Sequence, residues 1–505
     1  MGVNKILVWL KENCLTLALI FGLISSLVLV AVKIQASLGY HPDISGSEGS
    51  TIAPIQLLTA DRDIYLDPES APFRLTQYTP LYFVIVAFCC KLVNWSAVDV
   101  HYIYLASRFL SNIFSLLAVS VIGLLVFNIT KKKIAGFLSA LFLYQILSSW
   151  FLTISRPDSL LVLLISFYLW AAYLALKDRA NDNWWFLVIF ISVSAFFVKQ
   201  SGAILSITPG LFWILNRQWK TLAKLTLFGF AVFGLYLLIL PVNNVALFFT
   251  NIIGGVANSA SWNWFYDWTL QHWLLQFAPL LVANALVSAY IIYRKSSPFY
   301  LFLTLASFMF LVFSTMAAFK IGAGVGYYQD YLMVSVLQIT LFICETYNKP
   351  LFNNVFLKAG LSLYLLVAFF YCPLFVHMKY KAGNYMNFEG IYIEERDVAN
   401  YLYSEKKLQD GDWVYVCPGE NFRGYFLNQF LVKNILIPFP DLVFLADKNG
   451  TFRYDKFKSM AVNKQIKYVI ANKGTKPVNI FDFDFGQSLR YSSTIGSFDI
   501  YEANN

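Results

Sequence analysis

Four short polar stretches carry the residue types from which a group-transfer site could be built. The first is Tyr40-His41-Pro42-Asp43-Ile44-Ser45-Gly46-Ser47-Glu48-Gly49. A carboxylate beside a glycine can take the proton of an attacking hydroxyl, which makes Glu48 and Asp43 candidate bases; the plain alternative is a pair of solvated loop acids. The second runs from Tyr65-Leu66-Asp67-Pro68 to Gln77-Tyr78-Thr79-Pro80-Leu81-Tyr82, with Arg62 just ahead of it. Aromatics and prolines of this kind anchor a helix at a membrane boundary without any chemistry. The third is Ser155-Arg156-Pro157-Asp158-Ser159, where Asp158 can cap a helix, bind a divalent cation or hold an acceptor. The fourth is Lys199-Gln200-Ser201-Gly202. Its lysine either snorkels to the surface or neutralises a phosphate that gathers charge as it departs.

Lipid must surround the elements that position these residues. Of 505 residues, 58% are hydrophobic and 13% charged, against roughly 45–50% and about 25% in a soluble domain. Apolar segments near 13–33, 105–128, 134–154, 158–176, 184–199, 201–216, 221–241, 274–293, 298–318, 327–346 and 355–375 approach the ~20 residues a crossing needs. The apolar run at 15–32 is too long for a signal-peptide core and reads as a retained first span. The segment 80–93 is apolar but short, the length of an interfacial or re-entrant helix.

Basic residues set the orientation. With 80–93 not crossing, Lys5, Lys11, Lys131–Lys133, Lys177, Arg179, Arg217, Lys220, Lys224, Arg294, Lys295 and Lys349 fall on one side, the cytoplasmic one. Asp43, Glu48, Asp61, Asp63, Asp67 and Glu69 fall on the other. The expectation is a polytopic α-helical membrane protein of about eleven spans over 1–376, with outer loops at 34–104 (carrying interfacial helices) and 242–273. Residues 377–505 are richer in charge and turn signals, with β-like runs at Trp413–Cys417, Ile435–Ile437, Tyr468–Ile470 and Phe498–Tyr501. They predict a soluble α/β domain on the same, extracytoplasmic, face.

The net charge of +9 sits between apolar runs and forms no aromatic-interleaved basic stripe, which excludes a nucleic-acid partner. Six cysteines, Cys14, Cys89, Cys90, Cys344, Cys372 and Cys417, show no paired metal-ligand spacing and read as small apolar packing residues; a Cys372–Cys417 disulfide is left open.

An outer-loop Glu48-Gly49, the Tyr65–Pro68 and Tyr78–Tyr82 stretches, Arg156-Pro157-Asp158 and Lys199-Gln200-x-Gly202 resemble, in order and spacing, the GT-C superfamily of glycosyltransferases. The likeness is to the bacterial branch of protein O-mannosyltransferases and the lipid A aminoarabinose transferase. It covers 40–205; the later spans agree only in kind. The resemblance implies Glu48 as the catalytic carboxylate, although many members have Asp-Glu where this chain has Ser47-Glu48, which brings in Asp43. It implies Asp158 as a second acid. Lys199, Gln200, Arg156, Tyr78, Arg62 and His41 complete the expected substrate-binding set. The implied donor is a polyprenyl-phosphate sugar held from the membrane lipid. The acceptor would be a hydroxyl on a glycan, lipid or protein, and a divalent cation, Mg or Mn, is left open as a cofactor. A transporter or flippase, or a polymerase or ligase of lipid-linked glycans, is the rival; the absence of an internal repeat weighs against a transporter.

Overall fold

The computed structural model describes residues 3–44, 48–149, 155–178, 182–294, 296–346, 355–383, 388–420, 422–481, 485 and 488–504. Ser45, Gly46 and Ser47 of the first motif, and Arg179, Lys295 and Lys349 of the charge pattern, lie outside them. Each of the eleven apolar segments is a helix: α1 (Val3–Leu38), α4 (Val100–Thr130), α5 (Lys133–Ser149), α6 (Asp158–Lys177), α7 (Asn183–Val198), α8 (Ile204–Leu215), α9 (Trp219–Ile239), α12 (Leu275–Arg294), α13 (Pro298–Ala318), α14 (Gln329–Thr346) and α15 (Val355–Gly383). Between them lie α2 (Gly49–Thr59), α3 (Leu81–Leu92), α10 (Val245–Gly254) and the single turn α11 (Trp262–Phe265).

Among the described residues, six helices are long and apolar enough to cross a membrane: α1, α4, α6, α9, α12 and α13. Their outward faces carry large bare side chains, Leu23 and Leu27 on α1, Leu227 and Leu238 on α9 and Phe308 on α13, a continuous apolar surface that only lipid or another apolar partner covers. Of the others, α5, α7 and α8 are shorter, at 17, 16 and 12 residues. α8, at 12 residues, rises only ~18 Å and continues α7 through the 3₁₀ turn Gln200–Ala203. Segment 80–93 is the isolated 12-residue helix α3, also ~18 Å long and too short to cross. Lys33, just after the apolar run 15–32, does not end the first helix. α1 continues past it to Leu38, and its ammonium is buried against the Ser148 hydroxyl, 4.4 Å from the Tyr144 ring centroid.

α1 packs on α5 and α15, α4 on α5 and α6, and α6 on α7. α1 ends, and α4 and α6 begin, near Glu48 at one end of the bundle, and the chain beyond α15 folds over that end. It comprises α16 (Phe388–Ser404), α17 (Tyr425–Phe430), α18 (Pro440–Lys448), α19 (Asp455–Val462) and a five-strand sheet of order β2-β1-β3-β5-β4. The strands are β1 (Trp413–Val416), β2 (Ile435–Leu436), β3 (Ile466–Asn472), β4 (Leu489–Ile495) and β5 (Phe498–Ala503). β2-β1-β3 is parallel, whereas β5 and β4 add antiparallel. Side-chain alternation along a strand gives the sheet two cores. Val414, Val416, Tyr468 and Ile470 join the core that continues into the bundle. Tyr415, Cys417, Val469 and Ala471 pack on the other face with α18 and α19.

Phe73 and Leu75, from the first loop, are buried in that second core, and the Ile437 N–H donates to the Pro72 carbonyl at 3.0 Å. The first loop is therefore part of the tail's packing. Cys372 and Cys417 are both free thiols, so the disulfide left open is not formed.

Candidate active site

Glu48 closes the first loop onto the bundle. It stands immediately before α2, and its backbone carbonyl accepts the N–H groups of Thr51 and Ile52 at 2.8 and 2.9 Å. Gly49 follows because a Cβ there would meet the Phe439 ring of the tail at 2.9 Å. The Glu48 carboxylate is fully buried and its four acceptor positions are filled. Oε1 takes Arg108 Nε and the Ser155 N–H, both at 3.1 Å. Oε2 takes Arg108 Nη2 at 2.7 Å and the Ile44 N–H at 2.8 Å. Arg108, from the first turns of α4, also donates to the carbonyls of Gly39 and His41. The pair ties together both sides of the first loop, α4 and the approach to α6.

Asp43 belongs to the same knot but faces elsewhere. Its Oδ1 accepts the Glu48 N–H at 3.1 Å, and the residue lines a cavity of about 170 Å³ between the first loop and the tail, shared with Ser50, Gln77, Arg423, Tyr425 and Asp441. His41 is a wall of this region. Its Nδ1 accepts the Asp43 N–H at 3.2 Å, and its ring lies 4.5 Å from Phe388 and 5.6 Å from Phe422. Burial, reinforced by Arg108, lowers its pKa to about 4, so the imidazole is neutral.

The second cluster forms where α6, α7 and α14 meet. Pro157 precedes α6 and makes no side-chain cap; Asp158 is the first helical residue, favourable to the helix dipole. Its carboxylate turns to Lys199 Nζ at 2.7 Å, Arg156 Nε at 3.3 Å and Gln329 Nε2 at 3.3 Å. Lys199 is extended between α7 and the 3₁₀ turn. Gly202 lets that turn fold back, since a Cβ there would lie 2.3 Å from the Ala195 backbone. The Tyr327 and Tyr78 rings stand 4.9 and 5.8 Å from the Lys199 ammonium. Lys320, in the link after α13, is lowered to about 8 by burial and then by the Lys199 charge. Asp330 is buried within reach of the charges of Lys199 and Asp158. The cluster holds Arg156, Lys199 and Lys320 against Asp158 and Asp330, three cations to two acids. Arg156 Nε and Asp158 Oδ2 meet as an ion pair at 3.3 Å without making a hydrogen bond, and among the described residues Asp330 Oδ1 is buried without a hydrogen-bond partner.

The two clusters are joined. The Ser155 N–H donates to Glu48 while Asp158, paired with Arg156, also takes Lys199. Between them the Tyr82 hydroxyl lies 2.9 and 2.8 Å from the hydroxyls of Ser107 and Ser111, and Ser159 donates to Ser111 at 3.0 Å.

The structure thus brings together Glu48, Asp43, His41, Tyr78, Arg156, Asp158, Lys199 and Gln200. Gln200 acts as a strut, donating to the backbone carbonyls of Gln77 and Ile252. Arg62 does not join them. It lies beyond the far end of α2, ~16 Å from Glu48 along an 11-residue helix, and pairs at the surface with Asp410 at 2.6 Å. Sequence reasoning missed Arg108, Tyr327, Lys320 and Asp330. Arg108 and Asp330 carried a usable signal, an ionisable side chain inside an apolar segment. Among the described residues no group of three His, Cys, Asp or Glu is placed to hold a metal. Nor do the donors at either cluster suit a dication, because Glu48 is filled by N–H groups and Asp158 is flanked by cations.

No family model matches the sequence, and no curated protein does. Solved structures do. ArnT from Cupriavidus metallidurans bound to undecaprenyl phosphate aligns over 95% of this chain and 97% of its own, with TM-score 0.55 at 12% identity. The oligosaccharyltransferase AglB from Archaeoglobus fulgidus, in complex with an inhibitory peptide and a dolichol-phosphate, covers 92% of this chain and 70% of its own, with TM-score 0.55 at 12% identity. The chain has the GT-C fold. A further structure of the Archaeoglobus enzyme, a complex with Zn and sulfate, aligns at TM-score 0.53 and 14% identity over 90% of this chain and 68% of its own. This fold and the apolar helices make the protein a multi-pass membrane protein.

Proposed function

We propose that this protein is a membrane glycosyltransferase that moves a sugar from a polyprenyl-phosphate donor to an acceptor hydroxyl on the extracytoplasmic face. The eleven helices of the apolar segments would all cross or enter the bilayer, α3 would lie along its outer surface, and residues 377–505 would form the outer domain. The observation that carries the proposal is the Arg156–Asp158–Lys199 cluster, a largely buried site in which two cations converge on one carboxylate at the loop-bearing end of the bundle. It suits a phosphate whose hydrocarbon tail stays among the helices. The GT-C fold, seen in ArnT with undecaprenyl phosphate, supports the same assignment.

In the reaction, the acceptor oxygen bonds to the anomeric carbon while the bond from that carbon to the phosphate oxygen breaks, with inversion. The acceptor proton passes to a carboxylate, and the leaving polyprenyl phosphate gains negative charge, which Lys199 and Arg156 stabilise. Asp43 suits the base better than Glu48. It lines the open cavity, whereas every lone pair of Glu48 is engaged by Arg108, Ile44 and Ser155. Glu48 then positions Asp43 through its own N–H.

The test is transfer by the purified full-length protein in nanodiscs, using a panel of short-chain polyprenyl-phosphate sugars identified from the lipid-linked sugars that accumulate in cells lacking it. Asp43→Asn is expected to abolish transfer with the melting temperature kept. Normal transfer by Asp43→Asn would remove Asp43 as the base. Movement of lipid-linked sugar across vesicles, with no new glycosidic bond, would replace the transferase by a flippase.

A further inference from the structure

At the end of the bundle opposite Glu48 and Asp158 there is a second cavity of different chemistry. It measures about 900 Å³ and lies between apolar faces of α1, α5, α12, α14 and α15, with Leu138, Phe142, Ala283 and Tyr364 among its walls. Two lysines stand at its rim, Lys132 and Lys133, where α4 turns into α5. Lys132 Nζ donates to the Cys344 carbonyl at 2.8 Å, which holds the ammonium at the lip, and Lys133 is exposed. Among the described residues no Asp or Glu lines the cavity. Glu345, next along α14, engages the Tyr300 hydroxyl instead. Along α4, Arg108 and Thr130 are separated by ~33 Å at 1.5 Å per residue, about the thickness of a hydrocarbon core. The rim therefore stands at the other membrane boundary from the candidate active site.

An apolar chamber of this kind stays dry and takes up hydrocarbon, and its volume is that of a ligand site. Paired ammonium groups at its lip select a negative headgroup. We infer that this cavity holds an acyl chain of an anionic phosphoglycerolipid, with the lipid phosphate against Lys132 and Lys133. The site is independent of the transferase assignment, needing only that the helices cross a bilayer. The main rival occupant is the polyprenyl tail of the donor. Its phosphate would sit at Lys199, a bilayer's thickness away, and the rim lysines would then have no part in its binding.

The experiment is a lipid titration of the full-length protein in detergent, read by native mass spectrometry. It compares phosphatidylglycerol with phosphatidylcholine of identical chains for the natural protein, the Lys132→Gln/Lys133→Gln double variant and Ala283→Trp. Phosphatidylglycerol is expected to be retained at concentrations on the order of tenfold lower than phosphatidylcholine. The double variant should lose that preference while melting like the natural protein, and Ala283→Trp should lose retention of both lipids. Equal retention of the two lipids by the natural protein, or an unchanged preference in the double variant, overturns the inference. One-for-one displacement by a long polyprenyl phosphate, indifferent to the two lysines, would assign the chamber to the donor tail and also overturns it. Should Ala283→Trp fail to fold, a photo-crosslinking acyl chain on phosphatidylglycerol keeps the question decidable with the natural protein. It must label α5 or α14 near Phe142 or Val336, and labelling elsewhere alone defeats the inference.

Discussion

The two charged clusters at the loop-bearing end of the bundle solve opposite problems. Glu48 and Arg108 are 0% and 1% exposed, and every Glu48 lone pair meets an N–H. Asp158 and Lys199 are also buried, but Arg156 is 25% exposed, Arg156 Nε and Asp158 Oδ2 face each other at 3.3 Å as an ion pair without a hydrogen bond, and Asp330 Oδ1 has no hydrogen-bond partner among the described residues. A saturated pair has nothing left to offer a substrate, but it fixes backbone. An unsaturated cluster is costly to maintain unless a ligand completes it. The difference fits the proposed roles, architecture for the first and ligand binding for the second, although both grew from motifs that looked alike in sequence.

The largest expected effect comes from breaking the closed pair. Arg108→Ala leaves a carboxylate buried with only two backbone N–H groups, and loss of one partner of a buried pair costs about 3–5 kcal/mol. Thermal melting of the purified protein should show it directly. Arg108→Leu combined with Glu48→Gln should recover part of that loss, because no charge is then stranded. A variant melting like the natural protein would end the distinction between the clusters.

In the open cluster, Lys199→Ala should act on chemistry more than on stability, since Asp158 keeps Arg156 and Gln329 as neighbours. Removing a group that stabilises departing charge lowers kcat by roughly 10²-fold, and donor KM should rise with it. Unchanged donor kinetics would sink the phosphate role of Lys199.

Between these lies a glycine. Gly202→Ala places a methyl 2.3 Å from the Ala195 backbone, so the 3₁₀ turn must move, at about 1–3 kcal/mol for an overpacked site. The turn carries Lys199 on its leading edge, so donor KM and melting temperature should both shift. Lys199→Ala, by contrast, should move mainly the kinetics. A change in melting alone would uncouple Gly202 from the site.

How much of this was legible follows the range of the interactions. Long apolar runs report local burial, and the eleven segments and the short α3 were readable for that reason. Six meet the length and hydropathy of a crossing unaided; α7 and α8, split by the Lys199 turn, do not. Strand β4, Leu489–Ile495, escaped because it is an edge strand of largely polar residues with little burial. Asp43, Glu48, Asp158 and Lys199 were readable as polar residues beside apolar runs. Arg108 carried a signal of its own, an ionisable side chain inside an apolar run, but was passed over because that run was counted as a span. That Phe73 and Leu75 belong to the tail's core, and that Arg62 pairs with Asp410, depends on contacts hundreds of residues apart, which no local pattern carries.

The smallest expected effect lies on the closed side and is a matter of pH. His41 is held between Phe388 and Phe422, with its Nδ1 accepting the Asp43 N–H. Its pKa in the folded protein is about 4, against ~6.5 in the unfolded chain. The folded state therefore binds fewer protons than the unfolded state between these values. Stability from the neutral ring is fully present above pH ~6.5 and is lost as pH falls through 4. His41→Gln keeps an acceptor but cannot take the imidazole's charge, so its melting temperature should fall less steeply than that of the natural protein over this window. The half-buried ring keeps the difference modest. Parallel curves would mean that the ring stays solvated, and that the loop is held by Glu48 and Arg108 alone.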